Sequence, residues 1–479
     1  MTKYLNTRIV AIALLIFGFS RSVSAQQDLT LYPMQSIPQS YYTNPALIPD
    51  CKVNIGCLPI MLPVMPSLFF ETSNNGFNWN NILKLQTNDS LKLDPDDVAK
   101  HLHKKNDFTQ RMNMELLSFG FRIKRTQYLS LSLTEREMMR FCYPKDLVLI
   151  GLYGNSQYIG GTADFSGFGI NFQHYRELAL GYSNQIDDRI TLGGRFKLLF
   201  GMSNVWIKQS DMTLAVDKDY YYLTGAAAIK INTCGPDALY NGIKNKADTS
   251  GKTNNNTNFD PAAYITNMNN LGGALDFGIS YKINNMFQVA ASVTDLGYIH
   301  WKKGVHNYVN SGGKFTFEGL DITEFGGKKD SASKVSTVQK LVDSIGNQFD
   351  LVEGANAYWG PLTPSVYLSG FVNLTHKDKI SLVARGEIYQ HALHPAVMVA
   401  ATRNFSKRFG VTLSYSYMNR SWLNVGFGAQ ATLGPLQFFL ATDNALAGII
   451  PYKSKTFNIH FGANLIFHYK SFFPLLKQE

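Results

Sequence analysis

The chain has 479 residues, of which 45% are hydrophobic and 17% charged, against roughly 25% charged in ordinary soluble domains. Aromatic residues reach 13%, Gly numbers 39, Cys four, and the formal charge is +10. This mix excludes a disordered, collagenous, coiled-coil or disulfide-framework protein and leaves a membrane protein open.

Residues 1–25 read as a secretory signal peptide. Lys3 and Arg8 make a positive start, and residues 9–19 an apolar stretch. That stretch is too short to span a bilayer, which takes about 20 apolar residues. Val23-Ser24-Ala25 is a small-residue cleavage site, and no Cys follows it to carry a lipid. Cleavage removes Lys3, Arg8 and Arg21 and takes the charge from +10 to +7. No nucleic-acid motif accompanies the excess, which suits contact with anionic lipid headgroups instead.

The next stretch, residues 26–70, carries Pro33, Pro38, Pro45, Pro49, Pro59, Pro63 and Pro66; the last three would break any helix in its most apolar run, 57–70. Residues 26–50, with Asn44-Pro45-Ala46, read either as a hatch inside a barrel, shaped by proline-set turns, or as a periplasmic lead-in to the first strand. Cys51 and Cys57, with five residues between them, have the spacing of a small disulfide loop in an oxidising compartment. The pairing of Cys142 and Cys234 stays open. A helix is expected to begin at Asp94-Pro95 and end near Lys104-Lys105. His101 and His103, two apart on such a helix, face different ways, so no metal site and no cofactor is expected.

From there on, period-2 alternation dominates. Odd positions in 275–283 are apolar and even ones small or polar; in 190–200 the apolar positions are even, and Arg195 and Lys197 are odd. Residues 411–417, 423–432 and 457–469 alternate in the same way. Further strands are expected near 52–60, 112–123, 126–134, 166–174, 176–184, 203–216, 219–230, 286–295, 364–375, 379–389, 395–404 and 435–442. Segments of about 9–12 residues match tilted membrane-crossing strands rather than the usual soluble strand of about 5–6. The polar faces carry Gly, Ser, Thr and Asn where a soluble sandwich would show many Lys and Glu. The reading is all-β: a closed antiparallel transmembrane barrel of 14 strands, with 16 the alternative. The barrel spans residues 51–470, and 471–479 form a tail. Asp187-Asp188 and Asn284-Asn285 suit tight turns. Two long connections, 231–270 and 300–363, are expected outside the cell, the second with a helical pattern at Val335, Val338, Leu341, Val342 and Ile345.

Charge facing lipid at the midplane costs about 2–4 kcal/mol for Arg or Lys. Arg122, Arg195, Lys197, Asp276, Lys282, Arg385 and Glu387 are therefore expected in the lumen or at the rims. Their mixed signs favour pairing across the interior over a lined pore. Near the end of the chain, His460-x-Gly462-x-x-Leu465-x-Phe467 resembles the C-terminal signal by which the barrel-assembly machinery recognises outer-membrane barrels. Its spacing is read as placing these four residues on one face.

Other short elements recur in order along residues 28–470. They are Pro38-Gln39 with Asn44-Pro45-Ala46, the run 175–182 (Tyr-Arg-Glu-Leu-Ala-Leu-Gly-Tyr), and Gly193-Gly194-Arg195-Phe196-Lys197 with Gly201 and Asn204-Val205. Leu275-Asp276-Phe277-Gly278 with Tyr281, Thr294-Asp295-Leu296-Gly297 with Trp301, and Thr442-Asp443-Asn444 follow. In this order the chain resembles a Bacteroidota outer-membrane family of unknown function, related to accessory barrels of type IX secretion and gliding. More distantly it resembles fatty-acid-transporter barrels, whose N-terminal hatch carries an element like Asn44-Pro45-Ala46, although the surrounding hatch sequence differs. The resemblance implies a non-enzymatic outer-membrane protein acting as an accessory or docking subunit of a cell-envelope complex, with outer-membrane lipid and an envelope protein as partners. The alternative is a channel for hydrophobic or small compounds. An outer-membrane lipase or protease ranks last, because no G-x-S-x-G, Cys/His or H-E-x-x-H motif is present and no catalytic residue can be named.

Overall fold

The structure is a computed structural model that describes residues 28–56, 67–85, 91–220, 222–235, 260–317, 352–389 and 392–467. The signal peptide, Cys57, the helical pattern at 335–345 and the tail 471–479 lie outside the described residues.

Fourteen strands form the wall. They are β1 in two segments (Val53–Gly56 and Ser67–Asn74), β2 (Lys105–Lys124), β3 (Gln127–Pro144), β4 (Gly169–Gln185), β5 (Ile190–Val216), β6 (Asn270–Lys282) and β7 (Phe287–Trp301). The second half comprises β8 (Ser365–Asn373), β9 (Asp378–Tyr389), β10 (Ala392–Asn404), β11 (Phe409–Met418), β12 (Ser421–Leu433), β13 (Leu436–Thr442) and β14 (Thr456–Phe467). Each pairs antiparallel with its neighbour in sequence. β14 returns to β1 through Val53↔Phe467 and Ser73↔Thr456, so the sheet has no open edge. Closure is what lipid demands, since an unpaired backbone amide has no water there to bond.

The seventeen stretches expected as strands reduce to these fourteen for a local reason. Residues 166–174 and 176–184 are one strand, β4, and 190–200 and 203–216 are one strand, β5, while Leu223–Cys234 stands off the wall. In β4 the break in pattern is the outward pair His174 and Arg176. In β5 it lies near Gly201, where pairing with β4 shifts register. A bulge shifts the two-residue period without ending the strand.

Turns 125–126, 186–189, 283–286, 374–377, 405–408 and 434–435 share the end at which β1 begins and β14 stops. The long connections share the other end, as outer-membrane barrels place them outside the cell. The expected helix is present as Pro95–His101, with the Asp94 side chain accepting from the Asp97 N–H at 3.0 Å. It ends before Lys104-Lys105, because Lys105 already opens β2. The two-residue turn Asn419-Arg420 has φ of 51° and 54°, the left-handed pair that a tight hairpin requires.

Outward positions are apolar around most of the wall: Leu423, Val425, Leu413, Phe277, Ile279, Leu382 and Phe438 are exposed, while Asn424, Thr412, Asp276 and Ser381 are buried. Across β3 and β4 this band is interrupted. There Arg176 Nε donates to Glu135 Oε1 at 2.6 Å on the outer face, and His174 Nδ1 lies 2.6 Å from the hydroxyl of Tyr264, on the loop helix Pro261–Ile265. On the loop side, β5 runs on beyond its pairing with β6. Its upper half instead pairs with Leu223–Cys234, which pairs with Val305–Phe317 and through it with Val352–Gly354, raising a small sheet above the barrel.

Candidate functional site

Residues 28–52 contribute no strand and lie in the lumen. The segment is a string of turns with one 3-10 turn, Pro38–Tyr42, opened by its proline. Leu29, Leu31, Tyr32, Ile37 and Tyr41 are almost wholly buried. Tyr32 stacks on Tyr367 and Phe371, at 5.4 and 6.2 Å between ring centroids, within an apolar cluster with Val383, Met398 and Met418. Leu31, Met34 and Ile37 pack on Phe439 and Ala441. The plug is thus greasy toward one side of the wall and polar toward the other.

Side chains fasten it along its length. At its start, Asp443 accepts from the N–H groups of Leu29 (3.2 Å) and Thr30 (2.7 Å). His460 Nδ1 lies 2.6 Å from Asp28 Oδ2, and its Nε2 lies 2.8 Å from Ser67 Oγ. In the middle, Gln39 and Tyr42 both donate to Glu115, at 3.0 and 2.6 Å. Asn44 accepts from Ala46 N at 2.9 Å, a local turn that sets Pro45 O to accept from Ser183 Oγ at 2.6 Å. Arg122 closes the other end, donating to the carbonyls of Pro49 and Cys51 at 2.8 and 3.2 Å. Asn44, Pro45 and Ala46 are all buried against β5, β6 and β7.

Ser67, His460 and Asp28 have the connectivity of a hydrolase relay. The space beside them is a cavity of about 60 Å³, shared with Gln39, Tyr42, Arg136 and Asp295. A second, of about 40 Å³, lies between Arg111, Arg136 and Arg385. These volumes hold a few waters, at roughly 10–15 Å³ of such space each, and no acyl substrate. The relay is a latch that ties the start of the plug to β1 and β14.

Toward β3–β7 the lumen holds a balanced ionic core. Arg195 donates to Asp276 (3.1 Å) and Glu177 (3.3 Å). Lys197 reaches Asp276 (2.8 Å), Asp295 (2.5 Å) and Glu177 (3.6 Å), and Arg136 reaches Glu177 (2.9 Å). Three cations meet three carboxylates, all buried or nearly so. A bulge in β7 makes this possible. Asp295, at φ 61°, turns inward beside Thr294, and its N–H donates to Asp276 Oδ1 at 2.7 Å. A second cluster gathers Arg111, Arg140 (2.9 Å) and Arg385 (3.6 Å) on Glu387. Glu71 stands opposite Arg111 in register, fully buried, with neither carboxylate oxygen hydrogen-bonded among the described residues. Leaving a buried carboxylate so is costly.

The structure thus brings Arg195, Lys197 and Asp276 together, sets Arg122 at the rim against the plug, and leaves Lys282 exposed where β6 ends. One expectation is corrected. His460 and Gly462 face the lumen, whereas Leu465 and Phe467 face outward, because residues three apart on a strand lie on opposite faces. Cys51 is buried, with its thiol donating to Asn54 at 3.7 Å and no disulfide partner among the described residues; its expected partner Cys57 lies outside them. Arg111, Arg136 and Arg140 escaped sequence reasoning because the alternation fails around them. Outward Gln110 beside Arg111 and outward Glu135 and Glu137 beside Arg136 are polar, and inward Met138 beside Arg140 is apolar, so β2 and β3 extend beyond the expected strands 112–123 and 126–134. The one available signal for Asp295 was the Asp-Leu-Gly sequence at a period break.

A closed fourteen-strand barrel with its own N-terminal plug defines the class. The chain belongs to the family of unknown function DUF5723, whose model matches residues 45–443. No curated protein matches it. Among solved structures it is similar to the Pseudomonas putida toluene transporter TodX (8% identity, 92% of this chain and 93% of that one, TM-score 0.36) and to a Pseudomonas aeruginosa FadL homologue (9%, 90% and 94%, 0.39). It is also similar to the translocator domain of the autotransporter NalP from Neisseria meningitidis (7%, 94% and 100%, 0.31). At these scores the likeness adds nothing to what strand pairing already establishes.

Proposed function

We propose that this protein is a non-enzymatic outer-membrane barrel through which small or hydrophobic compounds pass when residues 28–50 shift. The observation that carries this reading is how the plug is held. It is tied to the wall by side chains and not by a strand ladder, so it can move while the wall stays closed. Its apolar side, around Tyr32 and Leu47, offers a surface along which a hydrophobic compound could replace plug contacts. The test is conductance and uptake in reconstituted bilayers, comparing the full chain with one lacking residues 28–50. The intact barrel should be nearly closed and the deletion conducting; equal behaviour would sink the reading.

A second reading, an accessory subunit of a cell-envelope complex such as that of type IX secretion, is favoured by the sheet that β5 raises above the barrel. Gentle extraction followed by native mass spectrometry tests it. A protein held at fixed stoichiometry, and lost on trimming residues 223–234 and 305–317, supports it; a solitary barrel does not.

A further inference from the structure

A further space lies outside the lumen. It is a cavity of about 550 Å³ at the loop end of β14, β1 and β2. Thr72, Phe108 and Phe457 form its floor, and all three belong to the outward face of the wall. Thr72 pairs directly with Phe457, which is 38% exposed between buried Thr456 and Asn458. Phe108 pairs with outward Asn74. Two loop segments fold back over this floor: Trp79–Ile82, with Phe77 before it, and Leu446–Ile449 with Pro451–Lys453. They are clasped to each other, Asn78 Nδ2 donating to the carbonyl of Lys453 at 2.9 Å, and Lys455 Nζ to that of Gly76 at 3.0 Å.

The lining is mostly apolar: Phe77, Ile82, Phe108, Ala447, Pro451 and Phe457. Below it Phe70, whose ring centroid is 6.5 Å from that of Phe457, continues the same surface down onto the lipid-facing band. Among the described lining residues Lys455 is the one charged group, and Lys453 stands exposed beside it. The volume is that of a small-molecule site, commonly about 300–1,000 Å³.

We infer that this cavity holds an acyl chain of an outer-leaflet lipid whose anionic phosphate headgroup meets Lys455 and Lys453. Most of its floor is outward wall residues on the lipid side, with the lumen-facing Ser73 and Thr456 only at its inner margin. An apolar bed with a cationic rim matches a chain carrying a head of net negative charge, whereas a zwitterionic head offsets its phosphate with its own cation. The inference does not depend on conduction through the barrel.

The experiment is native mass spectrometry of the full-length barrel, equilibrated in mixed micelles with equal amounts of phosphatidylglycerol and phosphatidylcholine of the same acyl chains. One phosphatidylglycerol should be retained, preferred roughly 30-fold, as two lysines near a headgroup imply at about 1 kcal/mol each. Ala447→Phe, which fills the cavity, should abolish retention. Lys453→Gln, with its side chain at the exposed rim and outside the clasp, should cut the preference to about fivefold, and Lys453→Gln with Lys455→Gln should equalise the two lipids. Equal retention by wild type, unchanged retention in Ala447→Phe, or displacement by a free fatty acid of the same chain length would each overturn the assignment.

Discussion

Gly193 on β5 faces the carbonyl oxygen of Pro45 so closely that a Cβ on the glycine would lie 2.1 Å from it. On the next strand a Cβ on Gly278 would lie 2.2 Å from Asn44 Oδ1. The turn at 44–46 therefore rests on two bare backbone positions, and the fit of plug to wall is decided there. Gly193→Val should push this turn off the wall and expose residues 28–50 to added protease in detergent. Gly370→Ala, with open space around it, should leave the digestion pattern unchanged. Equal patterns for both variants would mean that the plug is held elsewhere.

Asp443 is the strongest single tie at the start of the plug, accepting from two plug amides and from Asn458 Nδ2 at 2.7 Å. Hydrogen bonds to a charged group contribute about 1.5–3 kcal/mol. Asp443→Ala should thus raise the open population by roughly 10- to 100-fold, read as opening events in planar bilayers. An opening rate equal to wild type would remove Asp443 from any part in gating.

Ser67, His460 and Asp28 offer a sharp test of latch against enzyme. A fluorophosphonate probe should leave Ser67 unlabelled, because no acyl group fits the cavity beside it, while His460→Ala should loosen the plug as Asp443→Ala does. Covalent labelling at Ser67 would overturn the latch.

In the ionic core, Lys197→Met would strip the cation shared by three carboxylates. Breaking a buried pair from one side costs about 3–5 kcal/mol, so thermal unfolding in detergent should occur at a clearly lower temperature. Adding Asp276→Asn should recover part of the loss by rebalancing the charge. If the double variant is no better than the single, the core is not governed by charge balance.

Lys455, outside the strands, supplies a pH dependence. Burial, with Arg420 adding to it, pushes its ammonium down to about 8, below the usual lysine value of about 10.4. Between those values the unfolded chain binds the extra proton, so stability should rise as pH climbs from about 8 toward 10.4. Below that window the lysine is charged in both states and the effect is constant. Lys455→Met should flatten the rise in unfolding midpoint; an unchanged slope would assign it to another group.

The sequence by itself determined the wall. The bilayer imposes one rule on every residue of a crossing strand, apolar out and small or polar in, and a rule of period two can be read from 275–283 or 423–432 without coordinates. The same rule marked Arg195, Lys197 and Asp276 as inward, since lipid would not accept them. Only the tertiary structure decided what those groups meet. Arg136 lies beyond the expected strand 126–134, between outward Glu135 and Glu137, so the rule exposes no period there to read. Asp295 turns inward through a bulge that the pairing of β6 with β7 creates. The plug's place was equally beyond local reading, because Pro-rich turns have no period. What fixes them is contact with residues hundreds of positions away, as between Asp28 and His460, and such contacts exist only once the barrel has closed around them.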